Sequence, residues 1–408
     1  MVGKKKDDIK GSLNRLAWRR FRQNPIGLAS LIFIIILGTV ALLGYLITPD
    51  STPFANHQQL ELSTHKPGHI AQFLQVTKNQ NPAETSFFRK MLFGKPAPAT
   101  SIPIQRWWFE GAFIFFEIYG GQPGYPGPEA SLWLPDILHS IKHDQPHTEA
   151  VGDSVTFITL SGETKSLLLE TMRQEVEQNH LVTKRFLLGT DRFGRDMLSQ
   201  LIIGARVSLS VGFIAVFISL VIGVSLGSLA GFYRGRTDNL IMWLINVIWS
   251  IPTLLLVIAI TFAIGKGFWQ VFVAVGLTMW VDVARVARGQ VLSLREKEFV
   301  EAARALGLGT YRTITRHILP NIMGPIIVIS AANFASAILI EAGLSFLGIG
   351  VQPPMPSWGT MIREHYGFII LEKGYLAFLP GLLIMLMVLA FMLAGNGLRD
   401  ALDKTPRF

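Results

Sequence analysis

Residues 26 to 47 carry no charged side chain and are almost wholly apolar. A run of about 20 such residues, at ~1.5 Å rise per residue, matches the ~30 Å hydrocarbon core of a bilayer. In lipid the backbone must satisfy its own hydrogen bonds, so a run of this kind folds as a helix. Five more apolar runs follow, at 207–231, 240–264, 268–284, 322–347 and 375–395. Together they predict an all-α membrane protein with six transmembrane helices. Half of the residues are hydrophobic and only 16% are charged, a balance that favours membrane over a large water-soluble core. A signal peptide has a shorter apolar region and a small-residue cleavage site, so the first run reads as an uncleaved anchor.

The net charge is +9. A basic chain often binds nucleic acid. Here Lys and Arg cluster beside the apolar runs, which the positive-inside rule explains without a nucleic-acid partner. Residues 1–25 read as a basic cytoplasmic segment carrying Lys4, Lys5, Lys6, Lys10, Arg15, Arg19, Arg20 and Arg22. Leu13, Leu16, Ala17 and Trp18 interleave them, as in a helix lying on a membrane surface. YRGRTDN reads as a short cytoplasmic loop, GKG at 265–267 as an outer turn, and Pro252 as a kink within its span. Both termini then face the cytoplasm. Cysteine is absent, which excludes disulfides, thiolate catalysis and cysteine-based metal sites.

Residues 48–186 differ from the rest. They are mixed, polar and turn-rich, with GGQPGYPGP at 120–128. VGDSVTFITLSG reads as a strand and turn. SGETKSLLLETMRQEVEQ reads as a helix with Ser161 as its cap. A stretch of this length is too long for a loop; it predicts a small α+β extracytoplasmic insertion between helices 1 and 2. Trp107, Trp108, Phe109, Phe113, Phe115, Phe116 and Trp133 suit a packed core, a membrane-surface patch or a contact with a substrate-delivery protein. The insertion ends at LLGTDRFGRDMLSQ, where Asp191 and Asp196 are placed to cap or to pair with Arg192, Arg195 and Arg206. No histidine lies near enough to make these aspartates a convincing metal site.

Between the fourth and fifth runs lies EFVEAARALGLGTYRTITRHILPN, residues 298–321. Phe299, Val300, Ala303 and Leu306 recur at helical spacing, with Glu298, Glu301 and Arg304 on other faces. Gly307 and Gly309 interrupt the pattern, as glycines do at a helix end. Tyr311, Ile314 and Ile318 restart it, and Pro320 stands where a helix-start proline loses no hydrogen bond. The expectation is two short helices around a glycine elbow, tied to the membrane at both ends.

This stretch resembles the EAA motif of permease subunits of ATP-binding cassette importers, through Glu301-Ala302-Ala303, Gly307 and Leu319-Pro320. LLGTDRFGRDMLSQLIIGARVSLSVG, EAGLSFLGIGVQPPMPSWGTMI and LAGNGLRDALD extend the resemblance to the dipeptide, oligopeptide and nickel (C-type) permeases. Phe186 stands where that family usually has His, and Asn396 where it usually has Asp. The likeness covers residues 12–47 and 187–403, and the intervening insertion is longer than the family leads one to expect.

The resemblance implies the ABC type I importer permease fold, with a permease core at 187–403 and a cytoplasmic EAA coupling loop at 285–321. It implies a location in the bacterial inner membrane. It implies a homologous second permease, two cytosolic ATPases and an extracytoplasmic solute-binding protein as partners. Glu301, Ala302, Ala303 and Gly307 are then the ATPase-docking residues. The chain itself has no G-x-x-x-x-G-K-[ST] loop, so it is not expected to bind ATP in that manner or to act as an enzyme, and no cofactor is called for. Within the spans, Glu341 is the polar group of most interest, because a mid-helix charge costs about 2.5–3.5 kcal/mol on insertion scales. It either lines a pathway or locks two helices, and Asn333, two helical turns earlier, shares those alternatives. Two rival readings exist. A secondary transporter or channel would show inverted repeats or chains of ionisable residues across several spans, and neither is visible. An anchored extracytoplasmic enzyme would draw on Glu163, Glu170, Glu175, His143 and His147, which no motif organises.

Overall fold

The computed structural model describes residues 15–402 except 81–85, 123, 144–147, 152 and 266. Lys4, Lys5, Lys6, Lys10, Leu13, His147 and Lys266 lie outside the described residues. The chain divides into two compact units. One is Met1–Ala41 with Gly204–Tyr366 and Ala377–Phe408; the other is Leu42–Ile203 with Gly367–Leu376.

After a helical stretch over 15–23, helix α1 runs Pro25–Ile47. Its 23 residues make a rod of ~35 Å, enough to cross a bilayer. The second unit then builds a five-stranded antiparallel sheet in the order β4-β3-β2-β1-β8. Its strands are β1 His69–Thr77, β2 Ala99–Glu110, β3 Phe113–Ile118, β4 Glu129–Trp133 and β8 Leu181–Phe186. Helix α2, Phe87–Phe93, sits in the β1–β2 connection, and α3, Leu134–Leu138, follows β4. A separate three-stranded sheet joins β5 Thr148–Val151, β6 Ser154–Ile158 and β7 Thr164–Leu168, and α4, Leu169–Glu175, leads back to β8. Leu74, Ile104, Ile114 and Phe116 from the large sheet form one core with Ile137, Val155, Phe157 and Met172. Alternation along β2 sends Trp107 and Phe109 toward that core and leaves Trp108 partly exposed, as the two-residue period of a strand requires.

One local expectation is corrected here. Thr164–Leu168 is a strand, not the first turns of a helix, because it pairs with β6 from Ser154↔Leu168 to Ile158↔Thr164. Helix α4 begins only at Leu169, without a side-chain cap. Ser161 instead lies 2.9 Å from the Thr159 hydroxyl in the β6–β7 turn. Cross-strand pairing outweighs the intrinsic helix preference of this stretch.

In the membrane domain, α5 is Met197–Tyr233, α6 Gly235–Trp249, α7 Thr253–Ile264 and α8 Phe268–Arg295. Helix α9 is Glu298–Ala305, and α10 is the 37-residue helix Thr310–Phe346. Helix α11 is Trp358–His365 and α12 is Tyr375–Leu402. Among the described residues, five helices are long and apolar enough to cross a membrane, and α6 with α7 make a sixth candidate bent by 93°. That bend falls at Ser250–Pro252 and is far sharper than the proline kink expected there. YRGRTDN is also no loop: only Arg234, at φ 58°, separates α5 from α6.

Gly223, Gly227 and Gly231 form a stripe along α5 packed on α8. A Cβ at Gly223 would lie 2.6 Å from the Trp280 carbonyl oxygen, and one at Gly231 would lie 2.8 Å from that of Arg288. Small residues at four-residue spacing thus let the two backbones touch. Arg288 holds Asp238 in a two-pronged ion pair, Nε to Oδ1 at 2.5 Å and a second nitrogen to Oδ2 at 2.7 Å, fastening α8 to α6.

Candidate functional site

The hairpin between α8 and α10 is built from its caps. Acidic Glu298 and Glu301 occupy the first turn of α9 and Arg304 the last, matching the helix dipole. Gly307, at φ +74°, closes the helix. Its amide donates to Arg304 O at 2.8 Å, and the Leu308 amide donates to Ala303 O at 3.1 Å. These are the two bonds of a Schellman motif. A Cβ at Gly307 would meet open space, so the glycine serves the backbone angle and not close packing.

The second arm is not a separate short helix. Thr310–Thr313, a π turn at Ile314–Ile318 and the span from Leu319 run on as α10. The π turn precedes Pro320, which offers no amide to the helix ladder, and the wider turn absorbs that missing donor. Val300, Ile314, Ile318 and Ile322 pack beneath the hairpin with Phe232, Val283 and Val291. This core fixes the hairpin rigidly on the membrane domain.

The expected docking residues do not all face outward. Glu301, Ala302 and Gly307 are exposed. Ala303 is only 3% exposed, so it is not an outer contact; its small side chain lets α9 lie close to the core. The outward apolar surface comes instead from Leu306 at 81%, Tyr311 at 82% and part of Phe299. Sequence periodicity grouped Phe299 and Leu306 with the buried face, because it cannot tell an apolar residue facing its own core from one facing out.

Glu341 is fully buried and accepts a 2.7 Å hydrogen bond from Ser345 Oγ. The turn after α10 folds back on it: Val351 N donates to Ser345 Oγ at 3.1 Å. Gly348, at φ +80°, closes this end with the same two-bond motif, its amide reaching Ser345 O and that of Ile349 reaching Leu344 O. The start of helix α11 is closed by a capping box, with Thr360 N donating to Ser357 Oγ at 3.1 Å and Ser357 N to Thr360 Oγ1 at 2.9 Å. Gly359 faces the Ala342 backbone, where a Cβ would stand 2.7 Å from Cα. Asn333 is also buried, and its Nδ2 donates to Met279 O at 3.3 Å, bridging α10 to α8.

In the other unit, Asp191 and Asp196 brace the turn that leads into α5. Asp191 pairs with Arg195 at 2.5 Å and accepts the amides of Phe193 and Arg195, while Asp196 takes the amide and hydroxyl of Ser199. Phe186 is buried with Leu62, Phe73 and Tyr119. Nearby, the rings of His65 and His69 stack 3.9 Å apart, with Tyr119 edge-on to His65. Burial, and next the neighbouring His69, hold the His65 imidazole down at about 4. No sequence pattern singled out this cluster, since its members come together only through the fold.

Residues 223–408 match the family described as "Binding-protein-dependent transport system inner membrane component". The "Di/tripeptide transport system permease protein DppC" of Pseudomonas aeruginosa (strain UCBPP-PA14) is 46% identical over 220 residues, covering 54% of this chain and 72% of that one. The chain belongs to the binding-protein-dependent inner-membrane permease family. This permease also matches "N-terminal TM domain of oligopeptide transport permease C" over residues 12–67. The "Oligopeptide transport system permease protein OppC" of Bacillus subtilis (strain 168) is 40% identical over 221 residues, covering 54% of the permease and 72% of the relative. Among solved structures, an inward-facing MetNI methionine ABC transporter covers 51% of the permease and 98% of its own chain, at TM-score 0.43 and 18% identity. Residues 68–222 of the permease lie between its two matched family stretches.

Proposed function

We propose that this permease forms, with a homologous second permease, the translocation pathway of an importer for peptides or similar small solutes. Two cytosolic ATPases drive it, and a solute-binding protein delivers cargo from outside. The family is a transport component and not an enzyme in itself. Both termini face the cytoplasm in this reading, residues 48–186 form the extracytoplasmic insertion, and residues 187–403 form the core. Glu301, Ala302 and Gly307, joined by Leu306 and Tyr311, make the surface that meets an ATPase.

The observation that carries the reading is the rigid hairpin with an outward apolar surface. Leu306 and Tyr311 are largely exposed, and Phe299 partly so, on a segment whose Val300, Ile314 and Ile318 are packed. Large apolar side chains turned outward on a fixed scaffold fit a protein partner. ATP-driven approach of the two ATPases would then draw two hairpins together and re-orient the helices. Peptide cargo is supported by relatives whose names specify dipeptides, tripeptides and oligopeptides. Glu341 and Asn333 act in this reading as helix locks, given their bonds to Ser345 and Met279.

The test is purification of the tagged permease from its own cells in mild detergent, with mass spectrometry of what stays bound. A second permease and ATPases are expected with wild type, and loss of the ATPases alone with Leu306→Ser. A permease that purifies without any nucleotide-binding protein would overturn the reading in favour of a secondary transporter or channel.

A further inference from the structure

Helix α2 has the sequence FFRKMLF, and none of its residues is buried. Phe88 is 70% exposed and Phe93 67%. At about 100° per residue, Phe87, Met91, Phe88 and Leu92 cover an arc of roughly 140°. Arg89 and Lys90 flank that arc, and the helix has no acidic residue. Such a helix gains nothing from its own fold by displaying this face, so something outside the unit covers it.

Its place in the unit indicates what. Gly94, at φ +78°, ends α2, and a Cβ there would stand 2.7 Å from Ser51 O. The Lys95 amide donates to the same oxygen at 2.9 Å. The C-terminal end of α2 is therefore pinned to Ser51, four residues beyond the end of α1 at Ile47, a reach of at most ~14 Å. The segment between is itself stiff. Thr48 N bonds back to Gly44 O, the Thr48 hydroxyl to Asp50 O, and the Asp50 carboxylate accepts the amides of Thr52 and His57. The Tyr45 hydroxyl accepts the Phe54 amide at 3.0 Å. An aromatic, basic, unburied helix is thus held close to the end of α1, a helix long and apolar enough to cross a bilayer.

We propose that α2 is an interfacial anchor, with Phe87, Phe88 and Leu92 sunk into the outer leaflet and Arg89 and Lys90 against anionic phospholipid headgroups. Exposed aromatic and aliphatic side chains with adjacent cations are what such a surface takes up. The bilayer is always present beside α1, so no additional partner is needed to cover this face. The anchor holds the near edge of the insertion to the membrane. It does not depend on the nature of the transported solute.

The chain has no cysteine, which permits clean single-site labelling. Full-length Phe88→Cys and Phe93→Cys, each carrying an environment-sensitive fluorophore, are reconstituted in nanodiscs of phosphatidylethanolamine and phosphatidylglycerol. Ser161→Cys, in the exposed β6–β7 turn, is the reference. The label at position 88 is expected to emit to the blue of the reference, to be quenched by acyl-brominated lipid, and to be shielded several-fold from aqueous iodide. Adding Arg89→Glu and Lys90→Glu to the Phe88→Cys chain should weaken the lipid quenching. Labels at both 88 and 93 as open to iodide as the reference, with no lipid quenching, would overturn the proposal. So would shielding that appears only after a solute-binding protein is added, which would make this face a protein-docking site.

Discussion

Ser345 Oγ donates to Glu341 Oε1 across one turn of α10, and the same hydroxyl accepts the amide of Val351. The carboxylate therefore holds the end of a span to the turn that follows it. Glu341→Gln keeps an oxygen acceptor and is expected to retain both thermal stability and solute uptake. Ser345→Ala should cost about 1 kcal/mol of stability, the usual worth of one hydrogen bond. Uptake lost in Glu341→Gln with unchanged unfolding temperature would instead assign the charge to the pathway.

Gly227 faces the Ala284 carbonyl and the Ala287 Cβ on α8, whereas nothing stands near Gly38 on α1. Gly227→Leu should destabilise the detergent-solubilised permease by at least ~1–3 kcal/mol, because it strikes backbone. Gly38→Leu should fold normally. Fluorescence-detected size-exclusion after heating separates the two, and equal stability would refute the packing of α5 on α8.

Arg288→Lys removes the fork that grips both oxygens of Asp238. A loss of about 1.5–3 kcal/mol is expected, the range for charge-assisted hydrogen bonds. A double-mutant cycle with Asp238→Asn measures the coupling, and a value near zero would mean that the pair does not hold α6 to α8.

Leu306 and Tyr311 touch little of their own chain. Leu306→Ser and Tyr311→Ser should change stability by less than ~0.5 kcal/mol yet lower solute-stimulated ATP hydrolysis of the assembled transporter. Gly307→Val is the less selective variant, since it also strains a left-handed residue. Unimpaired hydrolysis and uptake in both serine variants would rule out the hairpin as the ATPase contact.

His65 titrates at about 4 in the folded insertion against 6.5 unfolded. Below pH 6.5 the unfolded chain takes up a proton that the folded chain refuses, so stability falls as the pH drops from 6.5 toward 4 and the loss levels off below that. His69, Lys373 and Tyr119 face the ring, and a proton there adds charge beside His69 and Lys373. Thermal unfolding across that range should be less pH-dependent in His65→Gln; identical slopes would exclude His65 as the titrating group.

The membrane architecture was legible because apolar runs have a length that only a bilayer demands, and the hairpin because glycine, proline and alternating charge mark helix ends. Ser161 and the stretch to Leu168 misled, since helix preference and strand pairing compete and only the presence of β6 decides. Pro252 announced a bend but not its 93°, because a proline removes a hydrogen bond without setting an angle. The outward turn of Leu306 and the inward turn of Ala303 were hidden for a related reason: both obey helical spacing, and the identity of the neighbour on each side comes from tertiary packing.

Helix α10 runs from Thr310 to Phe346, ~55 Å of helix that includes the π turn at Ile314–Ile318 and an internal Pro325. One end carries Tyr311 of the exposed hairpin, and the other carries Glu341 and leads into the Gly348 turn. No loop intervenes to take up slack. A displacement of the hairpin would therefore be carried along one helix, whose natural bending points are the π turn and Pro325. A further break is the 93° corner at Ser250–Pro252 between α6 and α7.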